Sequence, residues 1–258
     1  MITDIFWFSG TGNSLKAAKD IGEIINGNLR SMASEVTASN PKTDAEAVGF
    51  VLPVYYLGIP KMAETFIKKL DITRAKYVFV AATRGVHIVG AVISQVKKIL
   101  IEKGIKLDYG AYITMAENDF TYATVSSEEV QKRRLAAYPA RLNKIAAQIK
   151  RGKRRKDFEL TKSLLNARRK VYLGKTEDFA SFYASSEECN GCGICVKLCS
   201  ENNISLENGR PVWKQNCQIC LACFHNCPKK AVSHKGRGEE IPRYRHPEIK
   251  INELFARS

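Results

Sequence analysis

No cysteine occurs in the first 188 residues of this 258-residue chain, yet eight follow before residue 228. Cysteines used as ordinary small apolar side chains would be scattered, so the 39-residue stretch 189–227 carries a task that the rest does not share. Other absences narrow the class. No run of 18 apolar residues is present, which excludes a membrane-spanning helix. The opening MITDIFWFSGTGNS has no basic n-region and no small-residue cleavage site. A cytoplasmic, reducing location is therefore expected, where clustered thiols bind metal or do redox chemistry. Neither G-x-x-x-x-G-K-S/T nor G-x-G-x-x-G occurs, which removes a Walker loop and the nicotinamide fingerprint. Acidic residues are scarce in one place. From 141 to 175 there are thirteen Lys or Arg against Asp157 and Glu159, so +11 of the formal +15 sits there.

Within the cysteine stretch the first half reads Cys189-x2-Cys192-x2-Cys195-x3-Cys199. The second reads Cys217-x2-Cys220-x2-Cys223-x3-Cys227 and runs into Pro228. A structural zinc site needs two pairs of ligands converging on one tetrahedron, and a third cysteine after each pair overshoots that need. Three closely spaced thiolates instead fit one face of an iron–sulfur cubane whose fourth iron takes a distant cysteine. A double zinc ribbon is the competing reading. Gly191, Gly193 and Ala222 are expected to let backbone N–H groups approach the sulfurs. Ile194, Val196, Leu198, Ile204, Ile219, Leu221 and Val232 are expected to form a dry shell. Ser200 stands where the second run has its proline and keeps an N–H donor. His225, two residues before Cys227, is placed to modulate a cluster, but a solvated histidine is the expected reading. The doubled motif resembles the bacterial two-cluster ferredoxins. The resemblance implies that the last cysteine of each run crosses to the other cluster. One [4Fe-4S] cluster would take Cys189, Cys192, Cys195 and Cys227, the other Cys217, Cys220, Cys223 and Cys199.

The N-terminal part opens with an apolar, β-rich run over 2–8 that stops at SGTGNS. Trp7 lies inside it and is expected in the core. LKAAKDIGEIING then places Leu15, Ala18, Ile21 and Ile25 on one helical face, with Gly27 as a stop. A strand, a tight loop and a helix put several backbone N–H groups and a helix N-terminus around one anion. The loop Ser9, Gly10, Thr11, Gly12, Asn13, Ser14 adds hydroxyl donors and holds no Lys or Arg. A phosphate held by neutral donors is expected. Further apolar strands are expected over 48–54, 77–82 and 107–115. Pro60 is expected at the first turn of a helix. Ser126 with Glu129 predicts a capping box for a helix that continues to 149 through a kink at Pro139. The alternation predicts an α/β fold with a doubly wound parallel sheet. Ligands of such sheets bind at the carboxyl ends of the strands. The loops emerging there are residues 9–14, then Pro53, Val54, Tyr55, Tyr56, Leu57 and Gly58, then Thr83, Arg84 and Gly85.

The S/T-x-T-G-N-S/T loop resembles that of the flavodoxins, which use it to cradle the phosphate of FMN. The resemblance implies a flavodoxin-like sheet whose three loops hold FMN, with Tyr55 and Tyr56 as candidates to stack on the isoalloxazine ring. The order of parts, down to RYRHPEI, resembles flavodoxin–ferredoxin fusion proteins over nearly the whole chain. The implied division is a flavodoxin-like FMN-binding domain over 1–150 and a basic linker over 151–180, with helical character expected over 158–183. A small α+β domain carrying two [4Fe-4S] clusters would span 181–234, and a tail 235–258.

The run KRGKRRK repels itself and is expected to stay solvated. Nucleic acid favours such clusters, but no nucleic-acid fold or aromatic interleaving accompanies this one, so no nucleic-acid partner is expected. Anionic lipid is opposed by the lack of an amphipathic apolar face. Two cubanes with their thiolates carry roughly −4 and the FMN phosphate roughly −2, which lowers the net charge to roughly +9. The remaining excess is a solvated face or a dock for an acidic redox partner protein. The expected function is an electron-transfer protein passing electrons between the clusters, FMN and that partner. The alternative is a flavin-dependent reductase of a small organic acceptor, fed by the clusters. The loop MAENDFTYA, 115–123, is the expected place for such an acceptor or for contact with the cysteine block.

Overall fold

The computed structural model describes residues 1–85, 90–121, 124–157, 159, 183–185, 187–234, 238 and 240–256. Its largest element is a six-stranded sheet with the order β2-β1-β3-β4-β5-β6. The strands are β1 (Thr3–Trp7), β2 (Asn28–Ser31), β3 (Ala47–Pro53), β4 (Tyr77–Arg84), β5 (Tyr109–Thr114) and β6 (Arg155–Lys156). All pairings are parallel. The four central strands read as nearly unbroken apolar runs because both faces are covered. On one face α1 (Asn13–Ile25) and α5 (Glu128–Lys150) bring Leu15, Ile21, Leu142 and Ile145 against Ile5, Trp7 and Phe79. On the other, α3 (Lys61–Lys69) and α4 (Val92–Glu102) bring Met62, Phe66, Val96 and Leu100 against Phe6, Phe50 and Val80. Each of these buried side chains contributes about 2 kcal/mol relative to exposure. The doubly wound α/β sheet is therefore present, in the flavodoxin order extended by one strand.

Several local expectations shift. The two outermost strands had no apolar run to announce them. β2 reads NLRS, and β6 lies inside the basic run. That run is not free chain: the Tyr77 hydroxyl donates to the Lys153 carbonyl (2.7 Å), and Arg155 N donates to the Asp108 carbonyl (3.0 Å). Its side chains stay exposed, and cations on an edge strand discourage further strand addition. The two acids of the basic segment are both engaged. Asp157 accepts from Tyr112 N (3.0 Å), and Glu159 accepts from Ile93 N and Ser94 N (2.9 Å each) at the start of α4. The cap of α5 is Ser127, whose Oγ accepts from Val130 N, while Ser126 Oγ accepts from Glu117 N instead. α5 runs through Pro139 as one helix. α1 ends at Asn26, which takes φ 54°, one residue before Gly27. Pro60 stands just ahead of α3 rather than inside it.

The cysteine block is assembled from short pieces: a helical turn Ile194–Leu198, the antiparallel hairpin β8 (Ile204–Glu207) and β9 (Arg210–Trp213), and a helical turn Ala222–His225. β7 (Tyr183–Ser185) pairs antiparallel with β10 (Val232–His234). Leu198 and Ala222 join the core beneath α1 and α5. Ala116 and Phe120, from the loop after β5, pack with Ile204, Trp213 and Phe224. From the tail, Ile249 and Leu254 join the α1 side and Tyr244 the cysteine side. The helix expected over 158–183 lies almost wholly outside the described residues. Among the described residues no helix is long and apolar enough to cross a membrane.

Candidate functional site

A cavity of about 230 Å³ opens at the carboxyl ends of β1, β3, β4 and β5, where the strand order reverses between β1 and β3. Ser9, Gly10, Thr11, Asn13 and Ser14 line it after β1, Pro53, Val54, Tyr55, Tyr56 and Leu57 from the end of β3 onward, and Thr83, Arg84 and Gly85 from the end of β4 onward. Two of the expected residues stand behind the lining. Gly12 donates its N–H to Ser9 Oγ (2.9 Å), and Gly58 exchanges both backbone hydrogen bonds with Tyr55 (2.9 Å each). The loop after β5 adds Ala116, Glu117, Asn118 and Asp119. The cysteine block adds Ile219, Cys220 and Leu221, which no local signal announces.

The loop after β1 gathers hydrogen-bond donors at the start of α1. The first helical hydrogen bond of α1 runs from Lys16 N to the Gly12 carbonyl (2.9 Å), so the N–H groups of Asn13, Ser14 and Leu15 precede the ladder. Ser9 Oγ accepts from Gly12 N and Thr11 Oγ1 accepts from Asn118 Nδ2, so each hydroxyl keeps its own proton to donate. Ser14 Oγ and Thr83 Oγ1 bond at 2.7 Å. The positive end of the α1 dipole completes a site with no side-chain cation in the loop. Gly10 is where three parts meet: a Cβ there would stand 2.6 Å from the Cys220 carbonyl oxygen and 2.7 Å from the Tyr55 hydroxyl.

Tyr55 packs edge-on to Phe8, and burial pushes its pKa well up, so it remains a phenol. Tyr56 and Leu57 are the two central residues of the turn closed by Tyr55 and Gly58, with φ 47° and 65°. Positive φ at both positions is the type I′ pattern, and neither is glycine, which costs roughly 1–2 kcal/mol per residue. Tyr56 also lines a second groove with Lys61, Asn216 and Cys217. Arg84 lies over the Tyr112 ring, 4.3 Å from its centroid. Glu117 fills the space that a side chain on Gly85 would need. Its Oε1 accepts from Asn118 N and Asp119 N (3.0 Å each), and burial pushes its pKa up. The cavity thus contains a carboxyl group that holds a proton more readily than a solvated one.

Two smaller cavities lie in the cysteine block. Cys189, Cys192, Cys195 and Cys227 line the outer one, and Cys199, Cys217, Cys220 and Cys223 the inner one. The grouping follows the crossed sets that the resemblance implies. No cysteine is in a disulfide. Among the described residues no three His, Cys, Asp or Glu side chains are arranged to hold a metal ion. A bare ion would need its sulfurs about 2.3 Å from one point, whereas these cysteines surround a space. Asn203 N donates to Cys199 Sγ (3.2 Å) and Ile219 N to Cys217 Sγ (3.4 Å). Such donors favour thiolates. Burial works against them, pushing Cys195 and Cys217 up to about 11 and Cys223 well above the usual thiol range. Bound iron would have to deprotonate these thiols itself, as metals do. Four cysteines on each cavity equal the number of thiolates that one cubane takes.

Gly191 and Gly193 take φ 69° and 71°, and a Cβ on Gly191 would stand 2.5 Å from the Gly209 carbonyl oxygen. In the second run the matching positions are Ile219 and Leu221, at φ 53° and 57°, while Ala222 begins a helical turn instead. His225 is not solvated; it is 4% exposed. Its Nε2 bonds to the Asn118 carbonyl (2.8 Å) and its Nδ1 accepts from Tyr244 N (3.2 Å), which puts the proton on Nε2. Burial lowers its pKa to about 4. The tail was unreadable from sequence and proves to brace the anion loop. Tyr244 Oη donates to Asn13 Oδ1 (2.6 Å), His246 N donates to the Thr11 carbonyl (2.8 Å), and Asn13 Nδ2 donates to the Ala116 carbonyl (3.0 Å).

No family model matches the chain, and no curated protein does. Solved structures that align with it include the Trp repressor binding protein from Bacillus subtilis, at 17% identity over 54% of this chain and 96% of that one, with a TM-score of 0.36. An azoreductase from Bacillus anthracis aligns at 13% identity over 58% of this chain and 100% of its own, with a TM-score of 0.39. A flavodoxin from Streptococcus pneumoniae aligns at 13% identity over 57% and 99%, with a TM-score of 0.34. At TM-scores below 0.5 these likenesses carry no argument, and the assignment of a doubly wound α/β fold rests on the strand order and connectivity of the chain itself.

Proposed function

We propose that this chain is an electron-transfer flavo-iron–sulfur protein. FMN occupies the large cavity with its phosphate on residues 9–14. One [4Fe-4S] cluster sits on Cys189, Cys192, Cys195 and Cys227, the other on Cys199, Cys217, Cys220 and Cys223. The observation that carries the reading is that Cys220 and Leu221 line both the large cavity and the inner cysteine cavity. When bound, FMN supplies one- or two-electron chemistry and each cubane one-electron chemistry. The chain supplies binding, orientation and a dry partition. Ser9, Thr11, Ser14 and the first N–H groups of α1 hold the phosphate. Tyr55 and Tyr56 flank the ring system. Ile219 and Leu221 exclude water between the two cavities. Glu117 holds a proton at the cavity wall. Of the eight cysteines Cys192 is the exposed one, so an external redox partner reaches the outer cluster. In this reading residues 1–150 and 181–234 are the two functional units, and the tail, 235–258, binds both.

The test is to purify the protein anaerobically and count its cofactors. Roughly eight iron, eight acid-labile sulfide and one FMN per chain are expected. Zinc without sulfide, or no flavin, rejects the assignment. Photoreduced clusters should then pass an electron to the flavin at a rate independent of protein concentration, because tethering replaces a bimolecular encounter. A second reading, reduction of a small organic acceptor, is supported by the two carboxyl-bearing residues, Glu117 and Asp119, in the cavity lining. Saturable turnover that Glu117→Gln abolishes, with flavin still bound, would favour it.

A further inference from the structure

Arg243 reaches from the tail into the cysteine block. Its guanidinium carbon lies 3.4 Å from the centroid of the Phe224 ring. Nη1 donates to the Phe224 carbonyl at 2.6 Å. Nη2 donates to the carbonyls of Lys230 (2.8 Å), Val232 (2.9 Å) and Gly238 (3.3 Å). Nε is buried and, among the described residues, has no acceptor. The fork is thus pinned by neutral carbonyls within and just after the second cysteine run. Burial lowers the arginine pKa, and the anionic forms of Cys227, Cys223 and Glu240 oppose that. Arginine stays a cation regardless. Cys227 belongs to the outer cavity and Cys223 to the inner one. One fixed, half-buried charge is therefore held against Phe224, the residue after Cys223, and against Val232, which lines the outer cavity with Cys227, whereas nearby Lys229 and Lys230 are exposed and screened.

We infer that Arg243 tunes both clusters, raising their reduction potentials together. The inference rests on the two-cluster reading. Reduction adds one negative charge to a cluster, and a fixed cation in a low-dielectric setting stabilises that form more than the oxidised one. The residue acts on the clusters through its charge and touches no reacting atom.

The experiment uses the full chain, purified anaerobically, with Arg243→Gln, Arg243→Met and Arg243→Lys variants and Arg245→Gln as an exposed control. Iron and sulfide are counted first. If wild type lacks them, the two-cluster reading fails and tuning falls with it. If they are present, midpoint potentials are read by EPR-monitored titration. In the neutral variants both potentials should fall, lowering the reduced-to-oxidised ratio at fixed potential on the order of tenfold, which for one electron is about 59 mV. Arg243→Lys should restore most of the shift, because it keeps the charge and loses the fork. Arg245→Gln should leave both potentials in place. Unchanged potentials in the neutral variants overturn the inference. So does a fall in Arg243→Lys equal to that in Arg243→Gln, which would assign the effect to packing. Loss of clusters in both neutral variants, with Arg243→Lys intact, assigns a structural role and overturns it as well.

Discussion

The two cysteine runs share one spacing and differ in setting. The first reaches its positive-φ positions with Gly191 and Gly193 and leaves Cys192 exposed. The second forces Ile219 and Leu221 into the same left-handed region and buries Cys223. A β-branched residue there is strained, and strain that persists has a use. Glycines would relax the second loop, but they would remove the two side chains that wall the large cavity. The contrast teaches that equal cysteine spacing does not imply equal settings. The outer run is built to be reached, and the inner run is built to touch the other half of the protein.

The sharpest way to break that contrast is to remove ligands. Cys192→Ser and Cys220→Ser should each lower iron from roughly eight to roughly four per chain. Cys220→Ser should also stop cluster-to-flavin transfer, whereas Cys192→Ser should slow reduction by an external donor. Cys199→Ser should damage the inner cluster, and EPR of the remaining cluster tells which one was lost. Damage to the outer cluster would refute the crossed assignment.

Glycine substitutions give the next largest effect. Gly10→Ala drives a methyl group into the Cys220 backbone and should cost about 2–3 kcal/mol in urea unfolding, with at least about a tenfold loss of FMN affinity. Gly193→Ala has open space, with Leu206 Cδ1 at 3.7 Å, and should cost only the left-handed backbone, roughly 1 kcal/mol. Equal costs would contradict the tighter packing assigned to the inner side. Thr11→Asp places a carboxylate beside the phosphate and should weaken FMN binding about tenfold or more in a fluorescence titration, leaving the iron count unchanged. Unaltered flavin affinity would remove the loop from the site.

The smallest effect belongs to the basic run. Neutralising Arg151, Lys153 and Lys156 should slow reduction by an acidic donor several-fold at low salt and hardly at all at high salt, read by stopped flow. Internal transfer should not change. Wild-type rates at low salt would leave edge protection of β6 as the explanation of these charges.

What was legible in the sequence was local. The anion loop was readable because strand, loop and helix are contiguous, and backbone N–H groups at a helix start need no distant partner. The central strands were readable because burial on both faces forces unbroken apolar runs. β2 and β6 were not, since a short polar edge strand exists only because a neighbour offers it a ladder. Ser127 displaced Ser126 as the cap because Glu117 N, nine residues upstream, claims the Ser126 hydroxyl. His225 looked solvated because nothing near it in sequence hinted that Asn118 and Tyr244 would enclose it.

The sequence by itself determined the donor types: eight thiols in two equal runs, a neutral hydroxyl-rich loop, and an alternation that admits a parallel sheet. Spacing and composition carry that information because each depends on neighbours along the chain. Only the tertiary structure decided which cysteine faces which cavity. It made Cys220 and Leu221 common to the large cavity and the inner one, and it brought Tyr244 to Asn13 across 231 positions. Those contacts arise from the packing of Ala116, Phe120 and Phe224 and of Leu198, Ala222 and Ile249 into shared cores. Burial of apolar area is non-directional, so it leaves no motif at the positions it brings together.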